Sequence, residues 1–388
     1  MERKVADILI RSHELNPDGN INVNFHSAEG IPGSQLLPPS KRKEGEKYQR
    51  MIVINRETGR LAPLEPEREF HPGGEIKEIV RTPEKRLESL NSTEWRNSLF
   101  QIEVNRENAE RIMQDIHPIS ISKFAQAQAG KLGPEDFSKD EKAQMNKLFS
   151  AFEFVQQAKI SADTLFSKAY ELAKKDDDME KMKELENFSV EYGKALGING
   201  KEITNKEKYI SNAYNPKINA DLLQDLIQVL EKNPPKTWVP LEKFAIEKSS
   251  ETFGKATWDA YKKLKGKNVP ILTIENPPAG FGLSTGEDIK KLVEASREQF
   301  VKNAVADSGL SENEARKQAE KLIGATWDVG HINMLRKFGY SEKEIIEETK
   351  HVAPLLKHVH LSDNFGFEHT ELPMGMGNVP LKEMMKEL

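Results

Sequence analysis

Four short apolar runs, each ending on a chemically versatile side chain, constrain the fold of this chain most. They cover residues 21–26, 269–275, 324–328 and 356–361. At or near their carboxyl ends lie His26, Glu275, Asp328 and His360. Apolar and β-branched runs of this length are typical of buried parallel strands. Because parallel strands place their carboxyl ends on one side of a sheet, these side chains are predicted to form a single site.

The composition limits both the class of protein and the kind of site. The chain has 388 residues, 37% hydrophobic and 31% charged, and no apolar run long enough to cross a membrane. The N-terminus lacks the apolar core of a signal peptide, which predicts a cytoplasmic protein. Cysteine is absent, so a metal site must use histidine, aspartate, glutamate and water. A net charge of −5, with lysines and acids interspersed, does not favour nucleic acid as a partner.

The order of elements predicts an α/β protein interrupted by a long helical segment. Residues 1–34 are predicted to form a helix and the strand ending at His26, and residues 240–388 alternate strands with helices. Residues 35–239 are predicted to be an insertion, mainly helical, with a short hairpin around Gly59. Three helix starts in the last segment have the spacing of a capping box, at Ser284, Ser311 and Ser341.

The strand ends supply candidate metal ligands of the oxygen and imidazole type. The predicted core set is Glu275, Asp328 and His360, and the further candidates are His26, His331 and His369. This donor set suits a divalent metal such as Zn, Mn, Co or Mg. Asp328 and His331 are three residues apart, so they can share one face where the chain turns after the strand. Taken singly, such an aspartate can equally be a helix N-cap, and such a histidine can be a hydrogen-bonded residue of the core. His358 is interpreted as structural because it lies deeper on its strand.

Four motifs together resemble the xylose isomerase-like TIM barrels. They are Glu275-Asn-Pro, Trp327-Asp-Val-Gly-His331, His360-Leu-Ser-Asp363-Asn and Leu372-Pro-Met-Gly-Met-Gly377. This superfamily contains sugar and sugar-phosphate isomerases and epimerases as well as the endonuclease IV family. The resemblance covers residues 1–34 and 240–388. It implies an α/β fold, a partial (β/α) TIM-type barrel with parallel strands, with a large and mostly helical insertion.

The two branches of the superfamily imply different roles for the same residues. In the isomerase branch, the resemblance makes the metal ligands Glu275, Asp328 and His360. Glu275 would also be the proton-transfer base, and the substrate contacts would be Asn276, His331 and Asp363. In the endonuclease branch, a zinc cluster would be held by His26, Glu275, Asp328, His331, His360 and His369. That branch has an aspartate two residues before the last histidine, where this chain has Phe367.

The leading interpretation is a metal-dependent isomerase or epimerase that acts on a sugar or sugar phosphate. Its divalent metal would polarise the carbonyl and the adjacent hydroxyl while carboxylates move the proton. Cleavage of DNA phosphodiester bonds, as in endonuclease IV, is the alternative, and a non-catalytic barrel whose insertion binds a partner is the third. A membrane is not an expected partner. Asp328→Ala is expected to remove the metal with little loss of fold, because the site is not the core.

A closed barrel is not predicted. Four barrel-type strands are identified, whereas closure by the plan of this superfamily takes eight strands, the last of which carries a second glutamate. The chain is therefore expected to form an open, curved sheet whose uncovered inner face is rich in valine, isoleucine and leucine. Three explanations account for the strands that a closed barrel would still need. The chain is an excerpt from a longer gene, a second polypeptide or a homo-oligomer completes it, or the insertion shields the open side.

Overall fold

The chain forms two compact units, one built from Met1–Leu87 and Trp238–Leu388 and the other from Glu88–Thr237. The computed structural model describes residues 1–19, 21–27, 30–71, 77–200, 202–307 and 309–388. The predicted insertion starts at residue 35, whereas the second unit starts at residue 88, so residues 35–87 belong to the first unit. None of the described helices is long and apolar enough to span a membrane.

Strands and helices alternate in most of the first unit, whereas the second is almost wholly helical. The described α-helices are α1 (Glu2–His13), α2 (Pro83–Met113), α3 (Pro118–Gln128), α4 (Lys139–Lys175), α5 (Met179–Leu196), α6 (Lys206–Ala213), α7 (Pro216–Lys232), α8 (Leu241–Lys263), α9 (Gly286–Ala306), α10 (Glu312–Leu322), α11 (Val329–Asn333), α12 (Glu342–Val352) and α13 (Leu381–Glu387). The described strands are β1 (Asn22–His26), β2 (Gln35–Leu36), β3 (Tyr48–Asn55), β4 (Leu61–Leu64), β5 (Glu67–His71), β6 (Lys77–Arg81), β7 (Ile198–Asn199), β8 (Glu202–Ile203), β9 (Trp238–Pro240), β10 (Ile271–Glu275), β11 (Ile323–Asp328) and β12 (Leu356–His360). The boundary between the units falls within α2.

A parallel four-stranded sheet forms the centre of the first unit. Its order is β1–β10–β11–β12, and every neighbouring pair is parallel. The prediction that these strands end at the four candidate residues is confirmed, since they end at His26, Glu275, Asp328 and His360. The register pairs His26 with Glu275 and Asp328 with His360, which aligns the carboxyl ends. Across the described residues the sheet does not close on itself, so it is an open parallel sheet in a mixed α/β protein.

The two faces of this sheet differ in polarity. One face packs against the helices through apolar side chains of the main core, namely Val23, Phe25, Leu272, Ile274 and Trp327. Because side chains alternate along a strand, the other face carries Asn22, Asn24, Thr273, Thr326 and His358. The expectation of an inner face rich in valine, isoleucine and leucine is therefore wrong. The apolar residues of one face pack against the helices, and the opposite face is mainly polar, with Ile271 beside Asn22.

The sheet is strongly curved towards its polar face. The side-chain amide of Asn22 on β1 donates a hydrogen bond of 3.4 Å to the backbone carbonyl of Lys357 on β12. These strands are the first and last in the sheet order, so the curvature brings the two edges within reach of one side chain. His358 is exposed on this face, and its ring centroid lies 5.1 Å from that of His360. His358, which was interpreted as structural, therefore contacts the His360 ring and is open to solvent at the base of β12.

Side-chain caps define where three of the helices around the sheet begin. α10 begins after Ser311 and α12 begins after Ser341, as predicted. α9 begins after Thr285 rather than Ser284, because the Thr285 hydroxyl accepts the N–H of Asp288 and the Asp288 carboxylate reaches back to Thr285. Such caps satisfy N–H groups that the first helical turn leaves without a backbone partner.

A second, antiparallel sheet ties residues 35–64 to the rest of the first unit. β3 pairs with β2 and β4 and also with β9, which lies almost 200 residues later in the chain. The predicted hairpin around Gly59 is confirmed: Gly59 has φ +71°, and the Asn55 side chain accepts the N–H groups of Glu57 and Thr58. The apolar side of this sheet packs through Ile52, Ile54, Val239 and Leu241.

The second unit has a hydrophobic core of its own. Five apolar side chains along one stripe of α4 are fully buried, namely Leu148, Ala151, Val155, Ala158 and Ala162. The Trp95 indole N–H donates a hydrogen bond of 2.7 Å to the Leu230 carbonyl and ties α2 to α7. The apolar stripes therefore serve the packing of one helix on another.

A buried carboxylate, Glu348, caps the N-terminus of α9. Its Oε2 accepts the Gly286 N–H at 2.8 Å, and Glu348 is 9% exposed. Burial raises the pKa of Glu348 to about 7; the charges of Asp288 and Glu287 add to this effect, and the N–H groups of Gly286 and Glu287 oppose it. Glycine is required at position 286 because a Cβ there would lie 2.1 Å from the Glu348 carbonyl oxygen.

We predict that Glu348→Gln stabilises the protein at alkaline pH. The raised pKa means that between about pH 4.5 and 7 the folded state keeps a proton that the unfolded state releases, so the free energy of unfolding falls as pH rises. Glutamine keeps an acceptor for the Gly286 N–H and carries no charge. Urea unfolding at pH 8 should show a gain on the order of 2 kcal/mol, absent near pH 4. Equal or lower stability of the variant at pH 8 would contradict this account.

Candidate metal centre

Three buried side chains meet at the carboxyl ends of β10 and β11. Glu275 ends β10, Asp328 ends β11, and His331 follows in α11. They are 3%, 6% and 5% exposed, and one possible ligand atom from each lies within 4.8 Å of the others. His331 Nε2 is 3.8 Å from Asp328 Oδ2, and His331 Nδ1 is 3.8 Å from Glu275 Oε1. A glutamate, an aspartate and an imidazole at these separations can hold a divalent ion.

The two oxygens of Asp328 have different partners. Oδ1 accepts the N–H groups of Gly330 at 2.8 Å and His331 at 3.0 Å, and the Ser362 hydroxyl at 3.2 Å. It therefore caps α11. Oδ2 faces His331 Nε2 and His360 Nδ1, the latter at 3.9 Å. One oxygen fixes the local backbone, and the other is directed at the site.

A backbone carbonyl fixes the orientation of His331. Nδ1 lies 2.7 Å from the carbonyl oxygen of Asn276, which can only accept, so Nδ1 carries the hydrogen. In the neutral ring the lone pair is then on Nε2, the nitrogen that faces Asp328. A carbonyl partner on the far nitrogen is a common support of a metal-bound histidine. These contacts favour His331 as a ligand over the predicted contact with a substrate hydroxyl.

His26 and His360 lie on either side of Glu275. His360 Nδ1 is 3.0 Å from Glu275 Oε1, and His26 Nε2 is 3.4 Å from Glu275 Oε2. Both rings are partly exposed, His26 by 33% and His360 by 38% of the side chain. The prediction that Glu275, Asp328 and His360 converge is confirmed. The two histidines therefore form the solvent-facing side of the cluster, and the trio with His331 forms its buried side.

His369 joins the cluster from the loop that follows β12. Its Nε2 lies 2.9 Å from Nε2 of His331, and the two ring centroids are 4.6 Å apart. Because the lone pair of neutral His331 is on Nε2, His369 is the donor in this contact. The His369 side chain is 44% exposed, and it also lies 3.8 Å from Glu371. All six candidate ligands identified from the sequence thus belong to one network of contacts.

Asp363 holds the loop that follows β12. Oδ1 accepts the N–H groups of Asn364 and Val379, and Oδ2 accepts those of Gly375 and Gly377, all at 2.9–3.1 Å. Burial raises the pKa of Asp363, but the four N–H donors outweigh burial, and the pKa is lowered. Glycine is required at 377 because a Cβ would lie 2.3 Å from Asp363 Oδ1. Asp363 is 2% exposed and both oxygens are occupied, so it supports the loop rather than facing a substrate.

Asn276, another predicted substrate contact, is fully buried between two strand ends. Its amide oxygen accepts the Asp328 N–H at 2.8 Å, and its amide nitrogen donates to the Asp328 carbonyl at 3.1 Å. This pair of hydrogen bonds extends the pairing of β10 with β11 from Glu275 and Thr326 to Asp328, the last residue of β11. Asn276 therefore holds the two ligand-bearing strand ends together.

Two polar side chains that the sequence had not marked also contact the candidate ligands. The Asn24 amide donates to Glu275 Oε2, and the Ser362 hydroxyl donates to Asp328 Oδ1. A signal for Asn24 was present, because it lies two residues before His26 and such residues share a face of a strand. Ser362 carries no comparable signal, since its position depends on the path of a loop.

We predict that Asp328→Asn and Asp328→Ala both lose a bound divalent ion but differ in stability. Asparagine keeps an acceptor for the N–H groups of Gly330 and His331, whereas alanine removes the cap at a cost of about 1–2 kcal/mol. The expectation that alanine causes little loss of fold is revised for this reason. Metal content measured after dialysis tests the loss of the ion. Thermal unfolding of the metal-free proteins tests the difference in stability. Retained metal, or equal thermal stability of the two variants, would argue against these roles.

We predict that Asp363→Asn loosens the loop after β12 and lowers stability. The amide nitrogen would face two backbone N–H donors, leaving them without an acceptor, at a cost on the order of 2–3 kcal/mol at pH 7. Because the folded-state pKa of Asp363 is lowered, the wild-type advantage should shrink as pH falls through that pKa. Urea unfolding and limited proteolysis of residues 363–379 test this. A variant as stable and as protease-resistant as the wild type at pH 7 would refute it.

The chemical fit of the centre is favourable for a hard or borderline divalent ion. Its ligands are carboxylate and imidazole, its buried histidine has a fixed orientation, and each carboxylate directs one oxygen inwards. These three features support a role in metal binding. Comparison with known proteins adds no relative, since the chain matches no protein-family model, no curated protein and no solved structure.

Proposed function

We propose that this centre binds a divalent metal through Glu275, Asp328 and His331 and interconverts sugars or sugar phosphates by isomerisation or epimerisation. The observation that carries the proposal is the convergence of these three buried side chains at the carboxyl ends of parallel strands. Active sites of parallel α/β folds are built at this end of the sheet. Zn, Mn, Co and Mg are all compatible with the donor set.

We further propose that the parallel sheet is part of a (β/α) TIM-type arrangement. The order α8–β10–α9–α10–β11–α11–α12–β12–α13 alternates parallel strands with one or two helices, as such barrels do. The strong curvature of the sheet also supports this interpretation, because strands of a barrel bend around a common axis. The resemblance of the site motifs to the xylose isomerase-like barrels agrees with it.

The contacts around Glu275 indicate which residue acts as the proton-transfer base. A bound divalent ion would polarise a substrate carbonyl and the neighbouring hydroxyl. Glu275 was predicted to be the proton-transfer base, but Oε1 faces the other ligands and Oε2 accepts the Asn24 amide. His26 is better placed for this role. Its Nε2 lies 3.4 Å from Glu275 Oε2 and its side chain is 33% exposed, so a ring nitrogen of the neutral imidazole can take and return the proton.

A second function is favoured by a different observation, the number of histidines around the two carboxylates. His26, His331, His360 and His369 all lie within contact distance of Glu275, Asp328 or each other. Together with Glu275 and Asp328, these are the histidines that the endonuclease IV resemblance implies for a zinc cluster, and they support cleavage of DNA phosphodiester bonds as the alternative. Phe367, which stands where that branch has an aspartate, is 67% exposed and counts against it.

One experiment separates the two functions. The full chain loaded in turn with Zn, Mn, Co and Mg is incubated in D₂O with aldoses, ketoses and their phosphates, and in parallel with duplex DNA carrying an abasic site. We expect deuterium at the carbon next to the carbonyl, lost in Asp328→Asn and lowered about 10²–10⁴-fold in His26→Gln. His117→Gln, in the other unit, is the matched control and should be unaffected.

Cleavage of the abasic strand without deuterium exchange would overturn the isomerase proposal in favour of the alternative. DNA affinity gives an independent check. If the isomerase proposal is correct, binding is weak and responds little to salt. An affinity that falls steeply between about 50 and 200 mM salt would indicate several phosphate contacts and a nucleic-acid substrate.

A further inference from the structure

We infer that Asn24 is a positioning residue that makes Glu275 present a single oxygen, Oε1, to the metal centre, and that Thr273 holds Asn24 in place. This inference rests on the proposed metal-dependent function. Neither residue is a ligand or touches a reacting atom. Their effect is on the geometry and affinity of the centre, which can be measured without an activity assay.

The first contact is between Asn24 and Glu275. Asn24 lies on β1, two residues before His26, and its amide nitrogen donates to Glu275 Oε2. The amide must have this orientation, because turning it would set its oxygen against a carboxylate oxygen, and both are acceptors. Glu275 is 3% exposed, so little water competes for that oxygen.

The second contact is between Asn24 and Thr273 on the neighbouring strand β10. The Thr273 hydroxyl lies 3.3 Å from Asn24 Oδ1 and 3.4 Å from the Val23 carbonyl, and its single hydrogen is shared between these acceptors. Thr273 is fully buried. The register pairs Asn24 with Thr273 directly, so the two side chains stand side by side on the polar face.

The consequence concerns the two oxygens of Glu275. Oε2 is occupied by the Asn24 amide and lies 3.4 Å from His26 Nε2. Oε1 is directed at the remaining cluster, with His360 Nδ1 at 3.0 Å and His331 Nδ1 at 3.8 Å. A carboxylate with one oxygen tied to an amide is held to one-point coordination. Without the amide, it can turn and offer both oxygens.

The chain provides a matched control in Asn22. This asparagine lies on the same strand and the same face, two residues before Asn24, and its amide also donates a hydrogen bond. Its acceptor is the Lys357 carbonyl at the edge of the sheet, not a candidate ligand. Asn22→Ala therefore removes the same type of side chain and one amide hydrogen bond of the same strand face, at a carbonyl rather than at Glu275.

The test uses the purified full chain and titrates it with Zn²⁺ and Co²⁺. Asn24→Ala should weaken metal binding about 10- to 100-fold, as loss of a partner that orients a ligand commonly does. The visible spectrum of the Co²⁺ form should change, because two-oxygen coordination by Glu275 alters the ligand field. Asn22→Ala should match the wild type in both measurements. Thermal unfolding of the metal-free proteins identifies any variant whose fold is impaired.

Thr273 supplies a second, gentler test. Thr273→Val removes the hydroxyl with little change in volume and should weaken metal binding in the same direction as Asn24→Ala, whereas Thr273→Ser keeps the hydroxyl and should restore wild-type affinity. Combined with Asn24→Ala, Thr273→Val should add nothing further, because the residue it acts through is gone. This coupling distinguishes a positioning role from a general effect on the strand.

The outcomes are distinct. If the wild type binds metal and Asn24→Ala binds it equally well with an unchanged Co²⁺ spectrum, the inference is wrong and the proposed metal centre stands. If Asn22→Ala weakens binding as much as Asn24→Ala does, the effect belongs to the strand and the inference is also wrong. If the wild type binds neither metal, the proposed function fails and the inference fails with it.

Discussion

The parallel register of the four-stranded sheet is the constraint on which the site depends. Pairing His26 with Glu275 and Asp328 with His360 places all four side chains on one face and at one end. A slip of one residue would send each of them to the helix-packed face, because side chains alternate along a strand. The apolar residues between them prevent that slip, since Phe25, Ile274 and Trp327 must stay in the core.

In each of the two carboxylates of the site, one oxygen is held by structural hydrogen bonds and the other is directed at the candidate metal position. Asp328 uses Oδ1 to cap α11 and directs Oδ2 inwards; Glu275 gives Oε2 to Asn24 and directs Oε1 inwards. Asp363 shows the limiting case, in which both oxygens hold a loop. Buried carboxylates are costly unless they are hydrogen-bonded, so the structural bonds stabilise the same groups that are available to a cation.

Much of the sheet could be predicted from the sequence, because apolar β-branched runs with a polar end are a local signal. The face of β1 on which Asn24 lies could be predicted too, but the partners of Asn24 and Asn276 could not, because they depend on which residues stand opposite each other across two strands. The polarity of the inner face was predicted wrongly for a related reason. Asn22, Asn24 and Thr273 were visible in the sequence, but the expectation followed the apolar positions and neglected their alternation. The position of β3 beside β9 rests on a pairing almost 200 residues apart, which no local pattern encodes.

X-ray absorption spectroscopy of the zinc-loaded full chain tests the central claim most directly. The claim is that Glu275, Asp328 and His331 bind one ion together at the end of the parallel sheet. The account predicts one zinc per chain, nitrogen and oxygen neighbours at about 2.0–2.1 Å and the outer-shell scattering of an imidazole ring, all lost in Asp328→Asn. A zinc surrounded only by oxygen, or a spectrum unchanged in Asp328→Asn, would contradict it.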